Sequence, residues 1–389
     1  MRRHLAIFIA LFLVTLGQAA IDMYLPSLPK MAEYFEVKSH YVQLTMTYFL
    51  IGYALSQLIY GPLSDRWGRK PILIFGMLLF LASSFVIIFS ASLTVILVSR
   101  LGEGLGIGAC NLLARVVLKD MFSERTLTKM MSYIGLIWVM VPVLAPLFGG
   151  YLQTFFGWRS IFVCLFLLVA FSLFLVIFFL PETKKQLYIQ PISFPKIIEN
   201  YRKLLGSSLY NSYIFSAFLL YGVFVSFYTA SPFLLQTQLG LAPDIYGWIL
   251  FITLGGYMLG SFLNSRIVHQ EQYPKIIKFS LYAMAIAAVN YWTISWIFPL
   301  HLLSFMIPLF FLFLFMAFIY PNCISGSLSI FPEISGSASA LFGCSAFLGG
   351  TAASVFISYL PENTQIPFSS VIAGQCLLTF WIFRKYALQ

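Results

Sequence analysis

Apolar residues run along this chain in long blocks, separated by short polar connections that carry most of the charge. A helix needs about 20 residues to cross the hydrocarbon core of a bilayer. On that length the pattern predicts twelve spans, near residues 5–25, 41–63, 72–91, 94–117, 130–152, 159–180, 208–236, 245–268, 276–297, 301–327, 334–359 and 366–386. The blocks are continuous rather than alternating, which argues against a lipid-spanning β-barrel. Arg2, Arg3, the first apolar run and G-Q-A-A ending at Ala20 mimic a secretory signal peptide. Eleven further spans and an unbroken passage into D-M-Y-L-P-S-L-P make it read instead as a retained first helix.

Composition narrows the class. Of 389 residues, 60% are apolar, 18% aromatic and only 9% charged, whereas soluble domains carry about a quarter charged residues. No soluble core of this size could enclose so much apolar surface. A soluble enzyme, a nucleic-acid-binding protein and a disordered chain are thereby excluded, leaving an all-α membrane protein. The net charge of +10 changes meaning once its distribution is read. With the N-terminus inside, 19 of the 23 basic residues fall in inside connections, Arg115, Lys184, Lys185 and Lys196 among them. Only Lys30, Lys38 and Arg159 fall outside, and Arg100 lies within a span. That split is a positive-inside signal and predicts that both termini are cytoplasmic. The basic balance then serves topology and membrane lipid, with no nucleic acid as partner. Cys110, Cys164, Cys323, Cys344 and Cys376 fall in or beside apolar runs without C-x-x-C spacing, so neither a disulfide framework nor a zinc site is indicated.

Residues 181–207, with Pro181, Pro191, Pro195 and scattered charges, interrupt the pattern and predict a cytoplasmic linker. It divides a six-helix bundle over residues 1–180 from a second over residues 208–389. Transporters use such paired bundles to hold substrate near the midplane. A weak echo supports duplication: G-P-L-S-D-R-W-G-R-K-P begins at Gly61 and G-S-F-L-N-S-R at Gly260, at equivalent connections.

The first of these stretches is the most specific. As a short turn it would use Gly61 and Gly68 for close backbone approach. Asp65 would cap a helix or pair with an arginine, while Arg66, Arg69 and Lys70 would anchor at headgroups. It resembles the signature loop of the major facilitator superfamily. R-L-G-E-G-L-G-I-G-A at Arg100–Ala109 is similar to the proton-coupling motif of drug:proton antiporters, with Glu103 where glutamine is usual. A-P-L-F-G-G at Ala145–Gly150 resembles the antiporter motif, although Val141 and Ala145 replace its upstream glycines. D-M-Y-L-P-S-L-P, G-W-R-S-I-F at Gly157–Phe162 and S-G-S-A-S-A-L at Ser335–Leu341 resemble the bicyclomycin-resistance (Bcr/CflA) branch. The resemblance implies a twelve-helix secondary transporter of the bacterial inner membrane, exporting drugs or small metabolites on inward proton flow.

Three ionisable residues, Asp22, Arg100 and Glu103, fall within spans, where charge is expensive and functional by default. Arg100 and Glu103 are three apart on one helix face and can pair. A static pair is the plainer role for them, as a wet interfacial acid is for Asp22. Burial favours the neutral form of a carboxyl and a nearby arginine the charged one. A carboxyl enclosed in one state and open in the other therefore cycles a proton, with Asp22 or Glu103 as carrier and Arg100 tuning it. G-L-G-I-G-A at Gly104–Ala109 also fits a dinucleotide pattern, but no strand precedes it, and Gly102, Gly104, Gly106 and Gly108 read as a packing surface. Pro142, Pro146, Gly149 and Gly150 predict a bend in the fifth span. Tyr53, Asn111, Trp138, Tyr221, Tyr257, Tyr320 and Asn322, with Tyr228 and Asn290, are the candidate cavity residues. Aromatic walls with few polar contacts suit flat organic molecules, and the scarcity of midplane charge argues against a highly charged substrate. Small-molecule substrate, protons and lipid are the expected partners of a monomer, with no cofactor and no metal. Import of a nutrient would keep the same fold. A non-transporting receptor would need an appendage larger than residues 181–207, and an ATP-driven pump a G-x-x-x-x-G-K-[ST] motif that is absent.

Overall fold

In hydrocarbon a backbone must satisfy its own hydrogen bonds, so each apolar block becomes a helix. A computed structural model describes residues 2–122, 124–184, 194–267 and 273–386. Lys185 and Pro191 lie outside the described residues. The chain order is α1 (Arg2–Asp22), α2 (Leu28–Tyr34), α3 (Ser39–Trp67), α4 (Arg69–Phe89), α5 (Leu93–Met121), α6 (Glu124–Phe156), α7 (Arg159–Phe179) and α8 (Phe194–Leu205). There follow α9 (Ser208–Pro232), α10 (Pro243–Ile267), α11 (Tyr273–Ile297), α12 (Leu302–Ile330), α13 (Ser335–Ser358) and α14 (Ile366–Tyr386). Apart from the short α2 and α8, these correspond to the expected spans. Among the described residues, eleven helices are long and apolar enough to cross a membrane. The remaining long helix, α11, has its apolar run diluted by Asn290, Tyr291, Trp292 and Thr293.

The spans differ from the expectation in instructive places. The stretch Gly61–Pro71 is not a loop: α3 continues to Trp67 and α4 starts at Arg69. Gly68 alone breaks the helix, at φ +96, where an L side chain is strained. The linker contains α8, whose Leu204 is buried while Asn200 donates to Ser337 Oγ of α13 at 3.4 Å. After Asp22 the chain turns through Leu25–Ser27 into α2, with Pro26 and Pro29 in the first turns, where a missing N–H costs little. The helix α6 runs continuously through Pro142 and Pro146, where the sequence permits a bend.

The long helices form two groups, α1 with α3–α7 and α9–α14. They meet along two seams, α3 against α13 and α6 against α10. Exchanging the groups in span order turns one seam into the other, the mark of a pseudo-two-fold arrangement. Within the first group α5 approaches its neighbours closely: a methyl at Gly104 would strike the Phe49 carbonyl, and one at Gly106 the Gly76 carbonyl. This is the packing role expected of the α5 glycines. Outward faces carry Phe75, Phe85, Phe178, Phe215, Phe262 and Phe279, all exposed, as a lipid-facing surface requires. The end bearing both chain ends and α8 is called basal below, and the opposite end distal.

Candidate functional site

Asp22 is the last residue of α1 and is fully buried. It is therefore not the wet interfacial acid that its position near a helix end allowed. Its Oδ2 accepts from Gln18 Nε2 at 3.1 Å, one turn earlier, while Oδ1 has no partner among the described residues. Tyr221 and Tyr228 of α9 and Tyr246 of α10 lie within electrostatic reach of this carboxyl. The acid thus belongs to one helix group and lies within electrostatic reach of tyrosines of the other.

Arg100 and Glu103 occupy a different setting on α5. Both are fully buried and paired at 2.7 Å. Ser84 of α4 donates a second hydrogen bond to Glu103. The guanidinium is sandwiched between Tyr24 at 4.1 Å and Phe49 at 4.2 Å. Its Nη atoms both reach the Ala20 carbonyl of α1, at 3.5 Å. Arg100 therefore pairs with Glu103 and not with Asp22. The pair is enclosed within the first helix group, and its partners come from that group alone. Tyr24, two residues beyond Asp22 in the D-M-Y stretch, escaped the sequence reading.

At the basal end, Arg69 is nearly buried and ion-paired to Asp65 at 2.9 Å and to Asp120 at 3.1 Å. Its Nη1 also donates to Ser64 Oγ at 2.6 Å. The headgroup anchor expected of Arg69 is thus corrected to a knot between α3, α4 and α5. Lys70 turns likewise to the Ile177 carbonyl, at 2.7 Å, and only Arg66 stays in the open, beside Trp67. Glu182 accepts from the Arg69 and Lys70 backbone N–H groups at 3.0 and 3.1 Å, capping α4, and Lys184 pairs with Asp65 at 2.8 Å. A side chain at Gly68 would collide with Glu182. Gly61 meets nothing nearby. Asp120 and Glu182 gave no sequence signal, since only the fold brings them to Arg69.

Several candidate cavity residues do come together. Asn111 Nδ2 donates to Tyr53 Oη, and Tyr53 packs on Phe347 of α13 at 4.3 Å. Phe347 in turn meets Tyr221 at 5.0 Å. Tyr257 and Tyr320 extend this aromatic lining, each within electrostatic reach of another tyrosine of the set. Trp138 lies 5.3 Å from Arg115, which belongs to α5 and not, as expected, to an inside connection. Its position four residues after Asn111, on the same helix face, was the available signal. Two candidates depart from the set. Asn322 Nδ2 donates to Phe318 O at 2.6 Å and faces Asn264, within the second group. Asn290 is exposed on the outside of α11.

Distal to this lining the groups are bonded together. Gln43 Nε2 donates to Thr229 O at 3.0 Å and to Glu362, and Thr47 Oγ1 donates to Ser354 Oγ at 3.0 Å. Trp248 Nε1 donates to Tyr151 Oη at 3.1 Å, and Gln236 Nε2 to Pro26 O at 3.1 Å. Gly149 lies against the Met23 carbonyl, a close approach within the first group, and Gly150 against that of Pro243, a close approach at the α6–α10 seam. Pro146 O is met by Gly247 in return.

Comparison with known proteins adds the ancestry. The family model described as Major Facilitator Superfamily matches residues 7–354. "Multidrug resistance protein D" of Escherichia coli is 26% identical over 374 residues, covering 95% of this chain and 93% of that protein. "Bicyclomycin resistance protein homolog" of Haemophilus influenzae is 28% identical over 383 residues, covering 95% and 94%. Among solved structures, the D-xylose-proton symporter superposes with a TM-score of 0.79 at 16% identity, covering 99% of this chain and 97% of that one. At that identity it speaks for the fold alone.

Proposed function

Because the chain belongs to the Major Facilitator Superfamily, a family of transporters and not of enzymes, we propose that it exports a drug or small organic metabolite in exchange for protons. The seat of that exchange is the bacterial inner membrane. The bicyclomycin-resistance branch is the branch proposed, on the motifs quoted above. Both relatives named above carry drug resistance in their names, which supports export over nutrient import. Bundles over residues 1–180 and 208–389, joined by residues 181–207, rock about the two seams. The chain acts as a monomer, with small-molecule substrate, protons and lipid as its partners. The positive-inside bias puts the basal end in the cytoplasm. In that orientation the bonded distal seam corresponds to the arrangement closed to the outside.

Asp22 carries the reading. It has an unpartnered oxygen and tyrosines of the opposite bundle within electrostatic reach, so rocking changes its surroundings, whereas Glu103 is held by Arg100 and Ser84 of its own bundle. Enclosure favours a neutral carboxyl and water a charged one. A proton taken up from outside is then released inside as the bundles exchange. Each charge moved across 100 mV supplies about 2.3 kcal/mol, enough for modest accumulation. The Arg100–Glu103 pair positions α1 through Tyr24 and the Ala20 carbonyl, which amends the idea that Arg100 tunes the carrier directly. The Asp65–Arg69–Asp120 knot holds the basal ends of three helices as one gate element.

Everted membrane vesicles test this. Asp22→Asn abolishes solute accumulation driven by an imposed pH difference, while solute exchange without a gradient persists. Full proton-driven accumulation in Asp22→Asn would overturn the assignment.

A further inference from the structure

We propose that Arg115 anchors a subsite for the carboxylate of a small aromatic acid, an inference that rests on the transport reading above and names one class of its cargo. Arg115 lies on α5, six residues before its last residue, Met121. Its Nε donates to the Asn111 carbonyl at 3.3 Å, and its guanidinium lies 5.3 Å from the Trp138 ring of α6. Tyr53 of α3 and Tyr320 of α12 are within electrostatic reach, so both helix bundles contribute to its surroundings.

Among the described residues the two buried arginines have carboxylate partners, Arg69 with Asp65 and Asp120 and Arg100 with Glu103, whereas Arg115 is half-buried. Arg115 has no carboxylate partner among the described residues. Snorkelling to basal headgroups does not account for it. Side chains lean toward the N-terminus of their helix, which for α5 is the distal end, and the bond to Asn111 O continues that lean. The charge is turned toward the middle of the molecule, where an arginine is functional by default.

The atoms beside it define what fits. Asn111 is 3% exposed and its Oδ1 is buried without a partner, as is Trp138 Nε1. Tyr53 Oη accepts from Asn111 Nδ2 and so keeps its own hydrogen to donate. The set is rich in donors: two guanidinium nitrogens in a fork, an indole N–H and a phenol O–H. A carboxylate matches that fork with two parallel hydrogen bonds. Asn111 Oδ1 is the complementary acceptor for a hydroxyl or amide N–H next to the acid group. Arg115 is the one cation of the cluster among the described residues, so a monoanion balances it where a phosphoryl dianion would not. The Tyr53–Phe347–Tyr221 ring series supplies flat apolar walls for an aromatic body.

The test is equilibrium binding to the full-length protein in phosphatidylcholine nanodiscs, with radiolabelled 2-naphthoate displaced by unlabelled 2-naphthoate or 2-naphthamide. The acid is expected to displace about tenfold or more better than its neutral amide, the usual advantage of a charge-assisted pair. Arg115→Gln removes that preference, Arg115→Lys keeps part of it, and Trp138→Phe weakens acid binding while leaving the preference. No binding of 2-naphthoate to wild type, equal displacement by acid and amide, or an undiminished preference in Arg115→Gln or Arg115→Lys would each overturn the proposal. Phosphatidylglycerol nanodiscs address a lipid occupant: unchanged 2-naphthoate binding supports a solute site, and loss of binding reassigns Arg115 to headgroups. With no gradient imposed, the outcome is independent of whether Asp22 carries the proton.

Discussion

Asp22 and Glu103 are two carboxyls of the same helix bundle, both fully buried, yet they are held in opposite ways. Glu103 has an arginine at 2.7 Å and a serine hydroxyl, and its surroundings come from one bundle. Asp22 has one amide donor, a free oxygen, and neighbours in the other bundle. Depth alone therefore does not identify a working acid in a membrane. What matters is whether the partners move with it or away from it. A group whose partners travel with it contributes to structure, and one whose partners change sides contributes to a cycle.

That contrast can be broken by measurement. The largest effect is expected at Asp22. Asn in its place takes gradient-driven accumulation to background, while the melting temperature of the purified protein stays near wild type, because a neutral amide suits the same enclosed position. At Glu103 the order inverts. Gln leaves Arg100 buried without its counter-charge, which costs about 3–5 kcal/mol, read as a large fall in melting temperature and folded yield. Were Glu103→Gln as stable as wild type and transport-dead, the two acids would have to exchange roles.

Smaller effects sharpen the same division at the two ends of the molecule. Gly68→Ala forces a side chain into a positive φ beside Glu182 and costs about 1–2 kcal/mol, seen as a lower melting temperature. At the distal end, burial raises Glu362 above its ordinary value of 4.5, against hydrogen bonds from Ser39 and Gln43 that pull the other way. A raised acid in the closed arrangement means that closing binds protons. Closure is strongest below that ordinary value and weakens as pH rises through the elevated one. Lys38 and His40 share the same distal recess, so the control is Glu362→Gln, which removes this part of the pH dependence. Spin labels at Glu36 and Asn363 report it as a modest, few-fold shift between near and far distances.

Much of this was legible in the sequence because bilayer thickness is a severe ruler. Apolar block lengths alone located the long helices, and three-residue spacing placed Arg100 beside Glu103. The glycines of α5 announced close packing for the same reason. What was hidden depended on where helices stop and on tertiary partners. Polar residues around Gly61–Pro71 suggested a loop, yet they continue a helix into the basal knot, and a single glycine suffices for the reversal. Arg115 was counted with loop charges because it falls two residues from the end of the expected 94–117 span, while α5 itself continues to Met121. The apolar side of α8, with Tyr201 and Leu204, was too short to stand out beside the spans. Nothing in the chain's order links Arg69 to Glu182, or Gln43 to Glu362.

The α6–α10 seam has a consequence for how such a protein can change. Gly150 and Gly247 bring main chain against main chain, with no side chain interposed to set a lock-and-key fit. At these two points the surfaces can part and rejoin without a rotamer search, and only side-chain bonds such as Trp248–Tyr151 have to re-form. Residues lining the interior are then free to be exchanged one by one, altering the cargo accepted while the rocking machinery keeps its original bearing.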